Sequence, residues 1–155
     1  METGMKIYLA GSLRNPEMME HLHTLQAQDY NVFMDWYAAG PKADDHWREY
    51  WQEQDVSYVE ALKMPNSINT FNFDKKHIDA SDVFIMAAPA GKSAHMELGY
   101  AVGKGKVGIY FFPEPPSEDR WDVMVQFATH VCVGYAELFA ALADASDRLQ
   151  KNVYL

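Results

Sequence analysis

Asp82-Val83-Phe84-Ile85-Met86-Ala87-Ala88 is the stretch on which the fold turns. An unbroken apolar run of this length fits a central strand buried on both faces, as in a parallel sheet. Working outward, a second buried strand is expected over 107–112, and an earlier one over 6–10, ending in Gly11-Ser12. Strand-prone runs at 30–36 and 130–134 complete the set. Between them lie helical segments. Residues 17–28 carry Met18, Leu22 and Leu25 at helical spacing, with Pro16 suited to a first-turn position. Further helices are expected over about 45–62, over about 67–80 after Pro65-Asn66-Ser67, from near Ser93, and over 136–149. Strand–helix alternation with apolar strands implies right-handed βαβ units. The expected fold is therefore α/β: a single doubly wound, flavodoxin- or Rossmann-like domain over 1–155, built on a five-stranded parallel sheet, with no repeat and no internal linker.

A chain of 155 residues that is 48% hydrophobic can bury a real core, which excludes a disordered or low-complexity protein. Its formal net charge of −9 argues against a nucleic acid polymer as partner, because many phosphates would have to be neutralised. A small anionic ligand stays open, since a local pocket on an acidic protein can be positive. Cys132 stands alone in an apolar run, so it reads as a small buried residue rather than part of a disulfide or metal cluster. The histidines lack metal-ligand spacing, and neither a metal nor a cofactor is expected. No apolar run reaches the length of a membrane span or a signal region, so a soluble, cytoplasmic protein without a membrane partner is expected.

Ligands of open parallel sheets bind beyond the carboxyl ends of the strands, near the point where strand order reverses. Three loops fall there: Gly11-Ser12-Leu13-Arg14-Asn15, Asp35-Trp36-Tyr37, and Pro89 to His95 with Gly91 and Ser93. Glu97 follows the last of these, in the first turn or so of a helix, where the helix N-terminus favours a charged carboxylate. On position alone it reads equally as a nucleophile and as an ordinary helix acid. Asp74, His77 and Ile78 share one helical face; if Ile78 packs on the sheet, Asp74 points toward neighbouring strand ends. Taken alone, Asp74 fits an exposed helix acid better. Asp82 fits a cap on the strand start. Ser12 and Arg14 suit a phosphate site, although Arg14 equally suits a pair with a surface acid. Asp44, Asp45, His46, Trp47, Arg48, Tyr50 and Trp51 form an aromatic and charged cluster, readable as a lid or substrate wall, while helical core spacing explains Trp47 and Trp51 equally well.

The order Lys6-Ile7-Tyr8-Leu9-Ala10-Gly11-Ser12, Phe73-Asp74 with Ile78 and Asp82, Met96-Glu97-Leu98-Gly99-Tyr100-Ala101 and Gly103-Lys104-Gly105-Lys106 resembles the nucleoside 2-deoxyribosyltransferase family, and the related 2′-deoxynucleoside 5′-monophosphate N-glycosidases. The resemblance implies that Glu97 is the nucleophile at the anomeric carbon, that Asp74 is the acid serving the departing base, and that Tyr8 lies beside the nucleophile. It implies a nucleoside or nucleotide as the small-molecule partner and a homo-oligomer of two or more chains. Two features depart from the transferases. Their loop before the nucleophile usually carries an acid, which 89–95 lacks, whereas Gly11-Ser12-Leu13-Arg14 and Lys92-Ser93 look more like the monophosphate glycosidases. Transfer to another base and hydrolysis therefore both stay open, as do an NAD-type ribosyl hydrolase and a non-catalytic nucleotide-binding module. The family tail often enters a neighbour's site; Asn152-Val153-Tyr154-Leu155 fits that role or an ordinary packed terminus.

Overall fold

A computed structural model describes residues 4–153. Its elements are β1 (Lys6–Ala10), α1 (Met18–Gln26), β2 (Asn31–Phe33), α2 (Ala43–Glu53), α3 (Tyr58–Leu62), α4 (Pro65–Asp79), β3 (Val83–Ala87), α5 (Lys92–Gly103), β4 (Val107–Phe112), β5 (His130–Val133) and α6 (Tyr135–Val153). The five strands form one sheet in the order β2-β1-β3-β4-β5, and every pairing is parallel. β3 is central and buried along its whole length, which explains its lack of alternation. Ile7 sits opposite Val83 and Ala10 opposite Met86 across the β1–β3 pair. Strand order reverses between these two strands, so a crevice opens at their carboxyl ends.

Side chains alternate across the sheet and divide the core into two layers. On one face Ile7, Leu9, Val83, Ile85, Ile109 and Phe111 pack with Met18 and Leu25 of α1 and Leu138 and Leu142 of α6. On the other, Tyr8, Ala10, Phe84 and Met86 pack with Ile78 of α4 and with Ala94, Leu98 and Ala101 of α5. Gly108 permits that second layer, because a Cβ there would come within 2.4 Å of Val102 Cγ2 and 2.8 Å of Leu98 Cδ1. Asp82 ties the start of β3 to the start of β1, its Oδ2 accepting from the Lys6 amide at 2.9 Å. Cys132 is buried. No helix among the described residues is long and apolar enough to cross a membrane, and no group of three or more His, Cys, Asp or Glu side chains converges to hold a metal ion.

Several boundaries differ from the sequence expectation. The helix expected over 45–62 is two helices. The chain turns at Asp55, whose φ is +57°, and Ser57 then caps α3 by accepting from the Glu60 amide at 3.3 Å. β2 stops at Phe33 rather than 36; Asp35–Ala39 forms a 3-10 turn instead. The final helix runs on to Val153. Tyr154 and Leu155 of the tail motif lie outside the described residues.

Candidate active site

Tyr8 leaves β1 on the side facing α4 and α5 and is 1% exposed. It stacks on Phe84, with ring centres 5.3 Å apart, and tilts against Phe33 at 5.2 Å. Two walls of ring carbon thus hold the phenol, and its hydroxyl meets the carboxyl of Glu97. Glu97 is the sixth residue of α5. It shares a side of that helix with buried Ala94 and Ala101, three residues before it and four after it. The backbone therefore aims it at the end of the sheet rather than at solvent. Its Oε2 is buried with no hydrogen-bond partner among the described residues.

The electrostatics correct the sequence expectation. A helix N-terminus acts over its first turn only, and Glu97 lies beyond it. Burial instead pushes its pKa up to about 7; the nearby Asp74 charge adds to the rise, and the Tyr8 hydrogen bond partly offsets it. Asp74 is also raised, by burial, with His77 pulling the other way. Tyr8 is driven far above the ordinary phenol range by burial and by the two carboxylates, so its hydroxyl remains a donor.

Asp74 arrives as the sequence geometry implied. Ile78 is buried on the sheet, and Asp74, one turn earlier on α4, is half-buried. His77 beside it stacks on Phe33 at 3.9 Å and 11°, with Phe73 edge-on at 4.7 Å. Trp36 is fixed across the strand end, its indole N–H donating to the Leu9 carbonyl at 2.7 Å. Gly11 is required by packing, since a Cβ would lie 2.6 Å from Met18 Sδ and 3.3 Å from the Ala87 carbonyl. Behind it Ser12 Oγ accepts from the Arg14 amide at 3.1 Å. The Arg14 side chain takes the surface-acid alternative: its Nη2 lies 3.1 Å from both oxygens of Asp45.

Tyr8, Gly11, Ser12, Arg14, Asp35, Trp36, Asp74, Gly91, Ser93 and Glu97 all line one cavity of about 770 Å³ at the β1–β3 crevice. Asn69, Thr70 and Phe73 also line its α4 wall; none was expected as a site residue, although Thr70 lies one turn before Asp74 on the same helical face. Sequence reading also left α2 unresolved between wall and core. α2 buries no residue, and only its first turn, Ala43 and Asp44, lines the cavity; Trp47 turns away to pack, donating its indole N–H to Ser67 Oγ at 2.8 Å and meeting Tyr58 edge-on. A larger cavity of about 1000 Å³ lies beyond the connection from β3 to α5, lined by His95, Tyr110, Trp121 and Phe127 among others. Tyr8, Asp74 and Glu97 do not reach it. The paired raised carboxyls line the smaller cavity, which makes it the candidate site.

Two neighbouring carboxyls of raised pKa, one touching a locked phenol, are an arrangement that can share one proton between an attacking carboxylate and an acid for a leaving group. No family model matches the chain, and no curated protein matches its sequence. Solved structures do share its fold. A 2-deoxyribosyltransferase from Bacillus psychrosaccharolyticus aligns at 20% identity over 86% of this chain and 89% of its own, with a TM-score of 0.55. A Burkholderia pseudomallei protein provisionally named as pilus assembly-related aligns at 15% identity over 95% and 92%, with a TM-score of 0.50. The fold is thus the α/β architecture of a deoxyribosyltransferase-like structure, shared with a protein whose name points elsewhere.

Proposed function

We propose that the chain cleaves the N-glycosidic bond of 2′-deoxynucleosides or their monophosphates and passes the deoxyribosyl group to another nucleobase. The observation that carries this reading is the half-buried Glu97 carboxyl, hydrogen-bonded to Tyr8 and coupled to Asp74 at the β1–β3 crevice. In the first step a Glu97 oxygen bonds to C1′ as the C1′–N bond breaks. The bonding pair leaves with the base nitrogen, which takes a proton from Asp74. The product is a glycosyl ester, the intermediate that retaining glycosidases form at a carboxylate. In the second step the nitrogen of an incoming base attacks C1′, Glu97 departs as a carboxylate, and the displaced proton returns to Asp74. Tyr8 keeps Glu97 oriented by donating to it. The reading treats 1–155 as one deoxyribosyltransferase-like unit that self-associates, for which exposed Trp121, Val123 and Phe127 offer apolar surface.

A second reading, hydrolysis of a monophosphate, draws on Ser12, Arg14 and Ser93 facing the same cavity. A panel of deoxynucleosides and their monophosphates, each with and without added free base, separates the two. Base exchange supports transfer; release that ignores added base supports hydrolysis. Nicotinamide release from NAD without deoxynucleoside turnover would replace both with a ribosyl hydrolase, and absence of all turnover would leave a binding module.

A further inference from the structure

The cavity wall carries Asp35, Asp44, Asp74 and Glu97 against only Arg14 and Lys92 as cations. Arg14 reaches the rim from the β1–α1 loop, and its guanidinium is already engaged. Nη2 lies 3.1 Å from Oδ1 and 3.1 Å from Oδ2 of Asp45, on the first turn of α2. Arg48, one turn further along α2, reaches the same carboxylate, with Nη2 3.5 Å from Oδ1. Asp45 is the more enclosed partner, its side chain 30% exposed against 68% for Arg14. The carboxylate, held by two cations, is thus the more enclosed member of the pair and the arginine the more exposed one.

We infer that Asp45 sets the charge specificity of this cavity by holding Arg14 away from anionic ligands, so that the site favours an uncharged deoxynucleoside over its phosphate ester. The inference rests on the cavity being the substrate site proposed above. A phosphate arriving at the rim must displace Asp45 from Arg14, and the carboxylate it displaces then repels it. An uncharged ligand meets neither opposition. Arg48 gives Asp45 a second partner, so the displacement is graded rather than all-or-none. An exposed ion pair is worth no more than about 1 kcal/mol, so the discrimination it generates is about three- to fivefold. Asp45 touches no substrate in this account. It is a positioning residue that acts through Arg14.

The test measures binding of 2′-deoxyribose 5-phosphate by calorimetry, and in parallel the ratio of monophosphate to nucleoside turnover. The full chain is compared with Asp45→Asn, with the double variant Asp45→Asn/Arg14→Gln, and with Glu53→Gln as a charge-matched control at the far end of α2. Asp45→Asn is expected to bind the sugar phosphate three- to fivefold more tightly and to raise the turnover ratio by a similar factor. The double variant loses that gain, and Glu53→Gln shows none. A gain that survives in the double variant, or an equal gain in Glu53→Gln, overturns the inference, because the effect would then be a general field rather than the release of Arg14. So does an unchanged affinity in Asp45→Asn, or no detectable binding in any form. The binding arm does not depend on catalysis. Tighter binding without base release from any substrate would refute the glycosidic reaction and leave the role of Asp45 standing.

Discussion

Replacing Glu97 by glutamine should stabilise the protein strongly at pH 8 and by less than about 1 kcal/mol at pH 5. The side chain keeps its shape and loses only its ability to ionise. Burial and the Asp74 charge raise Glu97 from an ordinary 4.5 to about 7. At about 1.4 kcal/mol per pH unit, charging it in the folded chain costs about 3 kcal/mol. The sign follows from where the proton is held more tightly. The folded chain keeps the proton above pH 4.5, where the unfolded chain releases it. Stability from this group is therefore intact below pH 4.5 and is lost as pH rises through 7. Glutamine escapes that loss, so urea unfolding at pH 8 should show a gain of about 2–3 kcal/mol over the parent. For a chain of this size each kcal/mol moves Tm by about 2–4 °C, so melting should rise by about 5–10 °C at pH 8. Unfolding curves at both pH values, with unchanged m-values, are the assay. A gain of equal size at pH 5 and pH 8, or a loss at pH 8, would show that Glu97 carries no ionisation strain and would remove the basis for its raised pKa.

Activity should fall as pH rises through about 7, because the reacting state needs one proton on the Glu97–Asp74 pair, held by Asp74 while Glu97 attacks, and the pair loses that proton there; initial rates from pH 5 to 9 check this, and a flat profile across 7 would contradict it. Asp74→Asn should lower kcat by about 10²–10⁴-fold while shifting KM little, since an acid acts on the departing base; a change in KM alone would assign it to binding. Gly108→Ala should destabilise by about 1–3 kcal/mol in urea, as a Cβ would meet Val102 and Leu98 inside the second core layer; a neutral result would mean that α5 can move away from β4 freely.

The sheet was legible because its central strands are buried on both faces, and an apolar run such as 82–88 has few other uses. The break between α2 and α3 also left a signal, the Ser57-x-x-Glu60 pattern of a helix start, but the continuous helix-forming composition on either side masked it. The end of β2 was not legible. Trp36 is held by the Leu9 carbonyl, a partner 27 positions away that no local pattern reveals. The loop residues and Glu97 reach one cavity because the strand ends place them there, so topology read from apolar runs was enough to gather those; Tyr8 and the acid role of Asp74 came only with the family resemblance. Their charge states were a different matter. Helix position suggested an ionised Glu97, whereas burial and an acid on another helix govern it. The same holds for Arg14, whose engagement with Asp45 spans 31 positions.

The central claim is a covalent sugar on Glu97. Mixing the protein with a deoxynucleoside, quenching in acid and sequencing the digested peptides by mass spectrometry tests it most directly. The account predicts a deoxyribosyl ester on the peptide carrying Glu97, lost when free base is added before the quench and absent from Glu97→Ala. Turnover of the same substrate by Glu97→Ala at a comparable rate, or an adduct on any other residue, would contradict it.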